Sequence, residues 1–223
     1  MYAHFVEQGI WHDVRSIESH HFPMNYLAHL FLSNHHPDIL VGNMMTDMMH
    51  KREEAEVIDS VKSGIALHRD IDRLTDTHPI FIQHKRMLYP DFGKYSPVVL
   101  DIIYDYFLEN NWTYFSQESY GYFEEKTYQI LIAHLHKFPE RISPVIQRMV
   151  QAKWLQQYVT IEGLQGVFNR LERKISFPQS FAAVGEIVLD RESVWGQEHL
   201  LFFQDILNQL HELGWSIPQN VEK

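Results

Sequence analysis

Apolar residues recur at intervals of three and four along almost the whole chain, and no stretch alternates strictly over the length of a strand. This period predicts an all-α protein. Helices are expected over about 24–34, 37–50, 55–75, 79–89, 97–112, 118–137, 140–158, 161–174 and 179–213. Ser96 before Pro97 reads as a capping hydroxyl ahead of a proline at the first helical position, and Pro37-Asp38 after "SNHH" reads similarly. "YPDFG" and "ISFPQS" read as turns, and neither an internal repeat nor a low-complexity linker interrupts the pattern. The expectation is a compact multi-helix bundle: one domain over 24–213, a leader of unassigned role over 1–23 and a tail over 214–223.

One segment departs from simple amphipathicity. Around "SPVVLDIIYDYFLENNW", residues 96–112, apolar side chains occupy nearly the full helical circumference, which predicts a helix buried on all sides. Asp101 and Asp105 fall one turn apart in the remaining gap. Buried carboxylates must be protonated, paired, hydrogen-bonded or bound to metal, because stripping their hydration costs several kcal/mol each. Salt bridges to arginine, or the capping of a neighbouring helix, would satisfy them as well as a metal would.

A second segment, "GIALHRDIDRLTDTHP", residues 64–79, sets His68, Asp72 and Asp76 one turn apart on one side of a helix, with Arg69 and Arg73 on the neighbouring strip. It reads either as a salt-bridged surface or as the wall of a site for metal and phosphate. Two further groups favour the wall: His29 in the apolar "MNYLAHLFLS", and Asp47 among the methionines of "VGNMMTDMM". Four helices that each carry an acid or imidazole toward an apolar interior match the way metal sites are built inside helix bundles. A mainly carboxylate set with one or two imidazoles suits Mn²⁺ or Mg²⁺ better than structural Zn²⁺.

Composition narrows the function. With 223 residues, 45% of them hydrophobic and 13% aromatic, the chain can bury a substantial core. The formal net charge of −10, with 15 histidines, argues against general nucleic-acid binding. An acidic partner would have to meet a local basic patch, either Lys62, Arg69, Arg73, Lys85 and Arg86 or Arg170, Arg173 and Lys174. Neither a membrane-length apolar run nor a secretory apolar block near the N-terminus is present, so a soluble, cytoplasmic protein is expected, and the absence of cysteine fits a reducing compartment.

In order and spacing, "MNYLAHLFLS", "GNMMTDMM", "GIALHRDIDRLTDTHP" and "LDIIYDYFLENNW", followed by "KWLQQY" and "GLQGVFNRLERK", resemble the acyl carrier protein phosphodiesterase family over about 24–210. The resemblance implies an all-helical fold related to the HD-type phosphohydrolases. It also implies manganese-dependent hydrolysis of the phosphodiester joining 4′-phosphopantetheine to a serine of holo acyl carrier protein. By position, the family's acids and imidazoles match His29, Asp47, His68, Asp72, Asp76, Asp101 and Asp105, and its basic pair matches Arg69 and Arg73.

On this reading Asp47, His68, Asp72, Asp101 and Asp105 are the candidate metal ligands, Asp47 also serving the catalytic group, and His29 or else Asp76 is the candidate acid for the leaving serine. Arg69 and Arg73 would face phosphate, and with Lys62, Lys85 and Arg86 would form a basic rim for the acidic carrier protein. Two features depart from the pattern: Tyr106 stands where the family often has histidine, and the only His-Asp dipeptide, His12-Asp13, lies in the leader. Alternatives are an HD-like hydrolase of a nucleotide or other small phosphate ester, and a non-enzymatic helical module in which Asp101 and Asp105 pair with Arg69 or Arg73. The long C-terminal helix, with Trp195, Phe202 and Phe203, carries enough apolar surface to pack within the chain or to dimerise.

Overall fold

The computed structural model describes residues 26–218 apart from 174, 176 and 177. The expected leader, its His12-Asp13 dipeptide, Lys174 and the end of the tail lie outside the described residues. Among the described residues all regular structure is helical. No helix there is long and apolar enough to cross a membrane.

The helix that is apolar all round, α5 (Ser96–Asn110), is the axis of the core. Val99, Leu100, Ile102, Ile103 and Leu108 are fully buried on it. Around it pack α1 (Tyr26–Leu32), α4 (Pro79–Phe92), α9 (Ile161–Glu172) and α10 (Val184–Glu212). The core face of α10 holds Trp195, Phe202 and Phe203, all buried, so these side chains pack within the chain. On its outer face Leu189, Val194 and Leu201 are exposed.

Two helices, α2 (Pro37–Thr46) and α3 (Lys62–Thr77), cross with their backbones in contact. A Cβ on Gly42 would lie 2.0 Å from the Val61 carbonyl oxygen, and one on Gly64 would lie 2.2 Å from that of Ile39. Only glycine permits this approach, and it brings the side chains following Gly42 directly against α3. The remaining helices are α6 (Trp112–Phe115), α7 (Tyr120–Ala133) and α8 (Ser143–Gln151).

The structure shortens several expected helices for local reasons. The helix expected over 140–158 breaks after α8, where Lys153 adopts φ 47°, and resumes as a 3₁₀ turn, Trp154–Tyr158. The helix expected from residue 55 is replaced at its start by two 3₁₀ turns, Glu53–Glu56 and Asp59–Val61. Conversely α4 runs on to Phe92 through Pro90, where a proline removes a single helical hydrogen bond, and Gly93 at φ 50° ends it. Ser96 does not cap α5: it is the first helical residue, and its hydroxyl donates to the Gly93 carbonyl at 2.7 Å. Ahead of Pro37, the His36 side chain accepts from the Ile39 amide.

Candidate active site

The α2–α3 contact and the apolar α1 bring four expected residues together. His29 from α1 and His68 from α3 stack with ring centroids 4.2 Å apart and planes at 21°. One α-helical turn after His68, Asp72 places one carboxylate oxygen 3.5 Å from His29 Nε2 and the other 3.4 Å from His68 Nε2. At the C-terminus of α2, Asp47 Oδ1 lies 2.9 Å from the same His68 nitrogen. Donor atoms of His29, His68 and Asp72 all lie within 4.8 Å of one another, a grouping that can hold a metal ion. Both imidazoles are buried, whereas the Asp47 and Asp72 side chains are 34% and 45% exposed, so the grouping opens to solvent on its carboxylate side.

The two rings differ sharply in basicity. Burial works against a charge on His68, but hydrogen bonds to Asp47 and Asp72 outweigh it and hold the pKa up at about 10. For His29 burial dominates, the charge on His68 adds to it, and the pKa falls to about 4 despite the opposing pull of Asp72 and Asp47. The raised value keeps a proton on His68 Nε2, facing the two carboxylates.

Asn43, next to Gly42 on α2, underlies both rings. Its Oδ1 lies 2.8 Å from His29 Nδ1 and 3.0 Å from His68 Nδ1, and its backbone oxygen is also 3.0 Å from the latter. Its Nδ2 donates to the His29 carbonyl and to Ser33 Oγ. Asn43 was not among the residues expected from the sequence; an amide inside an apolar helix is the signal that could have found it.

The two acids of α5 separate. Asp105, expected among the ligands, instead accepts the backbone amides of Leu27 and Ala28, at 2.9 and 3.0 Å, and so caps the N-terminus of α1. Burial raises its pKa to about 7, against the lowering by those two amides. Its contribution to stability is then full below the ordinary value of 3.8 and fades as pH rises through about 7. In urea titrations, wild type is expected to lose more stability than Asp105→Asn between pH 5 and pH 8. Asp105→Ala, which strands two buried donors, should cost about 2–3 kcal/mol at pH 5 and less at pH 8, where wild type has lost the contribution of this group.

Asp101 keeps to the site. It lines a narrow cleft between α1, α3, α5 and α10 together with His29, Ile71, Phe202, Phe203 and Asp105 itself. Burial, then the negative charges of Asp72, Asp76, Asp105 and Asp47, raise its pKa well above the usual carboxylate range. Asp76 itself is exposed, a turn beyond Asp72 on α3. Tyr106 donates from its hydroxyl to Glu192 of α10 at 2.9 Å.

The cations are placed outside this grouping. Arg69 pairs with Glu54 at 2.6 Å, and Arg73 with Asp70 at 2.9 Å, both guanidinium groups more than half exposed. The ion pairs between these arginines and Asp101 or Asp105, on which a purely structural role would rest, are thus replaced by others. Lys62 pairs with Asp59 in the same way. Lys85 lies over the Phe81 ring, and Arg86 borders a shallow surface hollow beside Met87; their helix, α4, contributes nothing to the cleft.

The family model for acyl carrier protein phosphodiesterase matches residues 24–206. The chain belongs to this family. Among curated acyl carrier protein phosphodiesterases, that of Photorhabdus laumondii is 31% identical over 179 residues, 78% of this chain and 90% of the relative. That of Yersinia pestis is 26% identical over 191 residues, covering 83% and 97%, and that of Pectobacterium atrosepticum 28% over 182 residues, covering 81% and 93%. No solved structure matches, so the kinship with HD-type hydrolases stays an implication of the sequence resemblance. Within the acyl carrier protein phosphodiesterase match fall α1, α2, α3 and α5, the helices that carry His29, Asn43, Asp47, His68, Asp72 and Asp101.

Proposed function

We propose that this chain removes 4′-phosphopantetheine from holo acyl carrier protein by hydrolysing the phosphodiester to the carrier serine, with a divalent cation, Mn²⁺ before Mg²⁺, held by His29, His68 and Asp72. The observation that carries the reading is the convergence of two imidazole nitrogens and a carboxylate, with the buried acid Asp101 lining the cleft that His29 shares. The donor set fits the group: the buried Nε2 atoms of His29 and His68 both face Asp72, and nitrogen with oxygen donors and no thiolate suits Mn²⁺. When bound, the ion would supply charge neutralisation at the phosphoryl oxygens and a lowered pKa for the attacking water.

The other steps belong to the chain's own groups. Asp47, a third exposed and in contact with His68, is placed to accept the proton of the attacking water. Asp101, rather than the ligand His29 or the exposed Asp76, would supply the leaving serine oxygen with a proton, since burial and neighbouring carboxylates raise its pKa well above the usual carboxylate range. Apolar walls at Leu32, Ile71, Phe202 and Phe203 limit water on that side. Arg69, next in sequence to His68 and exposed, would exchange Glu54 for an anionic group of the partner.

The domain over 24–213 would act on its carrier-protein substrate in the cytoplasm. Purified protein incubated with holo carrier protein and Mn²⁺ is expected to lower the carrier's mass by one phosphopantetheine group. An unchanged mass with every metal tried would end the proposal. Hydrolysis of small phosphodiesters at a rate matching carrier protein would favour the small-ester alternative instead.

A further inference from the structure

The strongest feature not used by this mechanism is the side chain of Asn43, nearly fully buried on α2. Its amide orientation follows from the carbonyl beside it. The His29 main-chain oxygen, 2.9 Å from Nδ2, can only accept, so the amide nitrogen must face it and Oδ1 must face the rings. Ser33 locks this arrangement, its hydroxyl donating to the same His29 oxygen at 2.8 Å while accepting from Asn43 Nδ2 at 3.1 Å.

An amide oxygen also only accepts. Both ring nitrogens that approach it, His29 Nδ1 at 2.8 Å and His68 Nδ1 at 3.0 Å, must therefore carry hydrogen. The main-chain oxygen of Asn43, 3.0 Å from His68 Nδ1, makes the same demand. A neutral imidazole protonated at Nδ1 presents its lone pair at Nε2, and the Nε2 atoms are the ones that face Asp72. The preceding Gly42 is part of the device, because its contact with α3 brings the Asn43 backbone within reach of His68.

We infer that Asn43 is a positioning residue that sets the tautomer and tilt of both stacked imidazoles at once, so that a single side chain prepares two nitrogen donors for a divalent cation. This rests on the reading of His29, His68 and Asp72 as the metal site. A shared acceptor also explains the ring geometry: two N–H groups converging on one oxygen hold the rings near parallel, 4.2 Å apart. Without that oxygen the His29 ring could turn about its axis and offer either nitrogen, and the His68 N–H would keep only the Asn43 main-chain oxygen.

The test is Mn²⁺ binding, followed by the resonance of the free ion, to wild type, Asn43→Leu, Asn43→Asp and Ser33→Ala. Asn43→Leu keeps the volume and removes the acceptor; its affinity should fall roughly 10- to 100-fold. Asn43→Asp keeps an acceptor for both Nδ1–H groups and should bind as tightly as wild type or tighter, although it loses stability against the His29 carbonyl. Folded Asn43→Leu with wild-type affinity would overturn the inference.

Should Asn43→Leu not fold, Ser33→Ala and the wild-type protein decide. Ser33→Ala should bind a few-fold more weakly, about the loss of one supporting hydrogen bond. Long-range proton–nitrogen spectra of the zinc-loaded wild type should show both rings protonated at Nδ1 and ligated through Nε2, and ligation through Nδ1 in either ring would overturn the inference. Wild type that binds no divalent cation would instead remove the underlying metal reading, and the inference with it.

Discussion

Asp72→Ala is expected to lower kcat for phosphopantetheine removal by at least about 10³-fold, equivalent to roughly 4 kcal/mol of transition-state stabilisation. The loss should leave the fold intact. Asp72 is nearly half exposed at the open side of the grouping, so its removal opens no cavity in the core. The carboxylate nevertheless bridges the two imidazoles, its oxygens 3.5 Å from His29 Nε2 and 3.4 Å from His68 Nε2. Without it two imidazoles remain at the candidate site, and the balance that holds the His68 pKa at about 10 loses one of its two carboxylate supports. Circular dichroism and Tm should stay close to wild type while Mn²⁺ affinity and turnover collapse together. Asp76→Ala, on the same helix but exposed beyond the grouping, is the matched control and should retain most activity. Equal activity in Asp72→Ala and wild type at saturating metal would show that the His-His-Asp grouping is not the reaction centre.

Gly64→Ala is expected to do the opposite: to damage the fold and lose activity only as a result. In an isolated helix the change would gain about 1 kcal/mol, since alanine is the better helix former. Here the added Cβ would lie 2.2 Å from the Ile39 oxygen, 2.7 Å from the Asn43 nitrogen and 2.8 Å from the Gly42 Cα. These are backbone atoms, which cannot swing aside as a side-chain tip can, so α2 must move bodily away from α3. The strain outweighs the propensity gain, for a net loss of about 3 kcal/mol or more and a Tm lower by roughly 6–12 °C. Gly166→Ala on α9 is the control, because its Cβ would meet only the Arg170 side chain at 3.6 Å; it should be neutral or slightly stabilising. A wild-type Tm for Gly64→Ala would mean that the two helices do not touch as described. Because Asn43 and Asp47 reach His68 only across this contact, any folded Gly64→Ala fraction should also bind metal weakly.

The arginines show what local spacing leaves undetermined. Arg69 and Arg73 follow His68 and Asp72 along α3 by one residue each, about 100° around the helix, which is far enough to turn them from the buried rings to solvent. There they meet Glu54 and Asp70. Glu53, beside Glu54 in the same 3₁₀ turn, is held by Arg141, which also donates to the Met48 carbonyl next to Asp47. Acids of the 48–61 connection thus occupy two guanidinium groups beside the site, a pairing between residues 15 and 88 positions apart that no helical period encodes.

By itself the sequence determined that the chain is helical, that the segment around residues 96–110 is its buried axis, and that His68 and Asp72 share one side of a helix. Each of these follows from interactions within a few residues, which the period of 3.6 records directly. Four ordered motifs likewise carried the family. Tertiary structure alone decided that Asp101 and Asp105 line one cleft and that Asp105 also caps a helix whose amides lie 77 and 78 residues away. It also decided that Asn43, a lone amide in an apolar helix, sits beneath both imidazoles. The physical reason is that a buried polar group takes whatever donor or acceptor the packing of distant helices brings within 3 Å, and that packing hangs on contacts such as Gly42 against Gly64, where the missing side chain leaves no periodic mark.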